Sequence, residues 1–82
     1  MSKWDKLLKR ILALNPDVRF EELKKVLESY GYKMNTPHSG SSHYTFRKRG
    51  EAIITIPKHK PIKRIYVEVV KAVIEREESK NE

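Results

Sequence analysis

From residue 4 the chain repeats apolar positions at helical spacing. Trp4, Leu7, Leu8, Ile11 and Leu12 form one stripe, with lysines and Arg10 on the opposite side. The pattern predicts an amphipathic helix over about 4–14, stopped at Asn15-Pro16 because a proline disfavours a helical residue before it. A second stripe of Leu23, Val26, Leu27 and Tyr30 starts at about Phe20. Gly31 supplies its stop, since glycine enters the left-handed region at little cost. Two matching stripes read as core faces packed on each other; a membrane-binding or partner-binding first helix is the alternative.

The period then changes to two. Tyr32 and Met34 alternate with Lys33 and Asn35, and after the turn-forming Pro37-His38-Ser39-Gly40-Ser41 the residues Tyr44 and Phe46 alternate with His43, Thr45 and Arg47. Lys48-Arg49-Gly50-Glu51 joins this second strand to a third, in which Ala52, Ile54 and Ile56 alternate with Ile53 and Thr55 until Pro57 ends it. After the basic connector Lys58-His59-Lys60-Pro61 the helical period returns from about Ile62 to Glu77, with Ile65, Tyr66, Val69, Val70, Val73 and Ile74 apolar. Residues from about 78 to 82 have nothing to bury and are expected to fray.

The order helix-helix-strand-strand-strand-helix, with short connections, predicts a single α+β domain over 1–82. Its architecture is an α-α-β-β-β-α two-layer sandwich whose three-stranded antiparallel sheet carries helices on one face. That covered face takes Tyr32, Met34, Tyr44, Phe46, Ala52, Ile54 and Ile56. The open face then presents Lys33, Asn35, His43, Thr45, Arg47 and Thr55 to water.

Charge narrows the partners. In 82 residues there are 18 Lys and Arg against 11 Asp and Glu, a formal charge of +7, and the pI is near 9.8. Such an excess on so small a body attracts polyanions, nucleic acid first and an acidic protein or anionic membrane second. Apolar runs are short and broken by charge, so none is read as spanning a bilayer. Asp5 and the amphipathic start do not resemble an apolar signal core, and a cytoplasmic protein is expected. Without cysteine, disulfides and thiolate metal sites are excluded.

Chemistry concentrates at His43. It stands on the polar side of its strand, directly after Gly40-Ser41-Ser42, whose small residues let a phosphate backbone come close and offer backbone donors. Arg47 follows on the same face and suits bidentate contact with phosphate. RNA carries its own nucleophile in the 2′-hydroxyl, so a base near neutral pKa and cations to hold the phosphate are enough for slow cleavage, with no cofactor. Arg47, Lys48 and Arg49, then Lys58, Lys60, Lys63 and Arg64, flank one hairpin and are expected to form a continuous phosphate track. His38, His43 and His59 match no metal-ligand spacing, and no metal is expected. Ser39, Ser41 and Ser42 lack a neighbouring acidic residue to complete a nucleophilic triad. A non-catalytic RNA- or DNA-binding module, in which His43 stacks or donates to phosphate, is the alternative.

The run Gly40-Ser41-Ser42-His43-Tyr44-Thr45-Phe46, then Ile54-Thr55-Ile56-Pro57-Lys58-His59, then Ile65-Tyr66-Val67, resembles the HicA toxin family over about Phe20 to Ile74. The resemblance implies a fold like the double-stranded RNA-binding domain. It also implies a metal-independent mRNA interferase, an endoribonuclease that acts through a single catalytic histidine and is neutralised by a HicB-type antitoxin. The family's histidine falls on His43, its glycine on Gly40, and its Pro-x-His histidine on His59, which would orient the connector or contact phosphate. The first helix exceeds the family's minimal form.

Overall fold

The computed structural model describes residues 2–37 and 42–80. Its elements are helices α1 (Lys3–Leu12) and α2 (Phe20–Ser29), strands β1 (Lys33–Asn35), β2 (His43–Arg47) and β3 (Ile54–Pro57), and helix α3 (Arg64–Ser79). The expected α+β order is therefore the observed one. The sheet runs β1-β2-β3 and is antiparallel throughout. Its register sets Lys33 opposite Arg47, Asn35 opposite Thr45, Thr45 opposite Thr55, and His43 opposite Pro57.

Both leading helices close in the same way. In α2, Gly31 adopts φ 97°, while the Tyr32 and Gly31 amides donate to the Leu27 and Glu28 carbonyls, a Schellman ending. In α1 the Asn15 amide donates to the Arg10 carbonyl and the Leu14 amide to that of Ile11, with Leu14 itself at φ 57°. A leucine thus fills the left-handed position normally given to glycine, and the helix ends at Leu12, short of the proline expected to stop it. At the N-terminus of α1, Ser2 Oγ accepts from the Asp5 amide and caps the helix.

The core is one cluster between helices and sheet, built on Ile11, Leu23, Val26, Leu27, Phe46, Ile56, Val70 and Ile74, all essentially inaccessible. α1 contributes Leu7 and Ile11 to it and packs on α3. Some expectations need correction. Helix α3 begins at Arg64, and Ile62, expected at its start, is buried ahead of it. Its buried stripe is Val67, Val70, Val73 and Ile74, which leaves Ile65 and Val69 on the outside. Ala52 and Ile53 are exposed because β3 does not begin until Ile54. The tail expected to fray is helical through Ser79; there the Tyr30 hydroxyl donates to Glu78 at 3.0 Å, and Lys80 reaches Glu51 and Glu77. Among the described residues no helix is long and apolar enough to cross a membrane.

Candidate active site

β2 is the central strand, and its alternation sends Phe46 into the core and His43 and Arg47 to the exposed face, as period two requires. Lys33, Asn35 and Thr55 are exposed with them, and Thr45 is half-buried. His43 opens the strand beside Pro57, the last residue of β3. The backbone carries on past this pair: the Lys58 amide donates to the Ser42 carbonyl at 2.8 Å. The connector after β3 is thereby pinned against the residue that precedes His43.

His59 is held by the same connector. Its Nε2 lies 3.4 Å from Ser42 Oγ. His59 also lines a cleft of about 860 Å³ whose walls include Arg10, Asp17, Arg19, Glu22 and Lys60. A smaller hollow of about 260 Å³ adjoins His59 between Arg19, Phe20 and Lys58. Lys58 Nζ sits 5.9 Å from the Phe20 ring centroid, a cation–π contact, and 3.9 Å from Glu21. Arg19 and Arg10 were not among the residues singled out from sequence. They arrive here because the α1–α2 connection folds over the connector after β3, a juxtaposition across some forty residues that leaves no local signal.

Besides Lys58, two of the basic residues expected to meet phosphate are paired with carboxylates. Lys48 is spent on the scaffold: its ammonium pairs with Glu77 and lies 5.7 Å from the Tyr32 ring centroid. Arg76 beside it donates to the Tyr32 hydroxyl at 2.8 Å and pairs with Glu51 at 3.2 Å. The β2–β3 turn, closed by the Glu51 amide on the Lys48 carbonyl and allowed by Gly50 at φ 80°, is thus tied to the end of α3. Arg64 pairs with Glu68 at 3.4 Å. Among the described residues, Arg47, Arg49, Lys60 and Lys63 have no carboxylate partner.

Arg47 stands on the same face of β2 as His43, four residues along the strand. Four residues of strand separate their backbones by roughly 13 Å. The cations nearest His43 by topology are those of the connector, Lys58 and Lys60. Gly40 and Ser41, expected to approach phosphate, lie outside the described residues, as does His38. Among the described residues no group of three or more His, Cys, Asp or Glu is placed to hold a metal ion.

No curated protein and no solved structure matches the chain. The family model described as the HicA toxin of bacterial toxin-antitoxin does match, over residues 20–75. That span covers α2, the whole sheet and the first three-quarters of α3, and leaves α1 and the connection after it outside at the N-terminal end. It takes in His43, Pro57 and His59, and it coincides with the region whose sequence resembles that family. The chain belongs to the HicA toxin family, the toxin side of bacterial toxin–antitoxin pairs.

Proposed function

We propose that this chain is a metal-independent endoribonuclease that cleaves messenger RNA, with His43 as the general base. The observation that carries the reading is an exposed histidine opening the central strand, beside a basic connector, in a chain whose family is that of a toxin. The His43 imidazole removes the 2′-hydroxyl proton of a bound ribose. The 2′-oxygen then attacks the adjacent phosphorus, giving a 2′,3′-cyclic phosphate and a free 5′-hydroxyl. Negative charge building on the phosphate is met by Lys58, Lys60 and the backbone donors of the segment containing Gly40, Ser41 and Ser42. Arg47 and Arg49, further along the sheet, hold phosphates at a distance from the cut and contribute affinity rather than rate. Lys48, engaged with Glu77, is left to the scaffold.

A single general base accelerates such a reaction by about 10²–10⁴-fold, which suits a toxin that meets abundant substrate in the cytoplasm. The antitoxin, of the HicB type, blocks the site by covering this open face, with acidic side chains complementing the cations.

The test is incubation of labelled RNA with the wild type and with His43→Ala, both in EDTA. Cleavage by the wild type alone, with RNA binding kept by the variant, supports the reading. Equal cleavage by both removes His43 from the role of base, and binding without cleavage by both leaves a non-catalytic RNA-binding module.

A further inference from the structure

Cleavage by the 2′-oxygen needs two proton movements. One proton leaves the 2′-hydroxyl, and another must reach the departing 5′-oxygen, a poor leaving group as an alkoxide. In-line displacement sets the attacking and leaving oxygens on opposite sides of phosphorus, so base and acid must approach from opposite sides. The end of the β2–β3 pair brings two histidines close together. His43 stands on the open face of β2, opposite Pro57. Two residues after Pro57 the chain has turned, and His59 lies toward the helical layer, beside Arg19 and Phe20 at the start of α2. Its Nε2 is 3.4 Å from the hydroxyl of Ser42, the residue adjoining His43. Consecutive Cα atoms are 3.8 Å apart, so this nitrogen lies within about 10 Å of the His43 Cα. The two imidazoles therefore neighbour the same residue, Ser42, at the end of the β2–β3 pair.

Resting on His43 as the base, we infer that His59 is the general acid and that the cleft beside it receives the leaving nucleotide. The 2′-oxygen forms a bond to phosphorus as its proton passes to the His43 imidazole. The bond from phosphorus to the 5′-oxygen breaks, and that oxygen takes a proton from the His59 imidazolium. One P–O and one O–H bond form while one of each breaks, and exchange with water returns both imidazoles to their starting states. The groups facing His59 are Arg10 from α1, Asp17 and Arg19 from the α1–α2 connection, Glu21 and Glu22 from α2, and Lys58 and Lys60 of its own connector. Glu22 is engaged by Arg10, and Glu21 lies 3.9 Å from Lys58. Arg19 and Lys60 have no carboxylate partner among the described residues and suit the next phosphate of the leaving strand. The site thus uses two histidines rather than one, and α1 helps wall it through Arg10.

The test uses two RNA substrates that differ in one atom, the bridging 5′-oxygen at the cleavage site or a sulfur in its place. Sulfur leaves as a thiolate and needs no proton. His59→Ala and His59→Asn, which keeps a polar group near Ser42, are both expected to lose about 10²–10⁴-fold on the oxygen substrate and to cleave the sulfur substrate at close to the wild-type rate. His43→Ala is expected to fail on both. Loss on both substrates by both His59 variants, or undiminished cleavage of the oxygen substrate, overturns the assignment of the acid. Full activity of His43→Ala on both overturns the base and leaves the His59 comparison to be read by itself.

Discussion

Arg10 grips Glu22 with both arms of its guanidinium, at 2.6 and 3.3 Å, while its second nitrogen also donates to the Asp17 carbonyl at 3.1 Å. Glu22 in turn accepts from the Arg19 amide at 2.9 Å and so completes the first turn of α2. The helix outside the family match is thereby fastened to the element that opens it. Ile11, one residue on from Arg10, is fully buried. Ile11→Ala is expected to cost about 2–5 kcal/mol, the usual range for emptying an apolar core site. Arg10→Ala, which removes a half-exposed pair, is expected to cost no more than about 1 kcal/mol. Thermal unfolding of both variants checks this. An Ile11→Ala protein as stable as the wild type would show that α1 is an ornament.

Acid should loosen the same joints. Burial pushes the Glu22 carboxyl up, but the Arg10 hydrogen bond, the Arg19 amide and both nearby charges outweigh it and hold it below its ordinary value. The Lys48 hydrogen bond, against a smaller opposing effect of burial, holds Glu77 low as well. A carboxyl whose folded pKa is depressed stabilises the fold above its unfolded pKa, and that stability is lost as pH falls through the folded value. The melting temperature is therefore expected to hold down to about pH 4, the ordinary carboxylate range, and to fall below it. Melting curves of Glu22→Gln and Glu77→Gln between neutral pH and pH 2 should show a shallower acid fall than the wild type.

At the alkaline end Tyr30 behaves in the opposite sense. Burial, the hydrogen bond to Glu78 and the charges of Glu78 and Glu77 push its phenol up to about 12. A raised pKa stabilises the fold below the unfolded value near 10 and loses that contribution as pH climbs towards about 12. Phenolate absorbance followed through an alkaline titration should contain a late step near 12 that Tyr30→Phe removes.

Two neighbouring cations should separate stability from binding. Lys48→Ala breaks the contact with Glu77 and is expected to lower the melting temperature while leaving RNA affinity close to that of the wild type. Arg47→Ala is expected to do the reverse: unchanged melting, affinity lower for every RNA sequence tried, and a salt slope smaller by about one. Fluorescence anisotropy at several salt concentrations measures both quantities.

The pattern of the residues made most of this fold legible. Period two set His43, Thr45 and Arg47 against Tyr44 and Phe46, and Gly31 announced the end of α2 because its left-handed backbone is cheap only for glycine. Leu14 could not be read in the same way: a leucine in that conformation is paid for by core contact, which composition does not display. The exposure of Ile65 and Val69 follows from the phase of α3, whose buried stripe is Val67, Val70, Val73 and Ile74. The pairing of Lys48 was hidden for a related reason. Glu77 lies 29 residues from Lys48 and reaches it only when α3 folds back over the hairpin. The grouping of Arg10, Arg19 and His59 around one cleft is likewise a product of tertiary closure.

The claim on which the account turns is that His43 takes a proton from a ribose 2′-hydroxyl. Mass spectrometry of the RNA fragments, from RNA with all its 2′-hydroxyls and from RNA with 2′-deoxyribose at the cleavage position, reads this directly. The wild type is expected to leave 2′,3′-cyclic phosphate ends on the first RNA, no cut at the deoxy position of the second, and His43→Ala no cyclic ends at all. Cleavage at the deoxy position, or cyclic ends produced equally by His43→Ala, would contradict it.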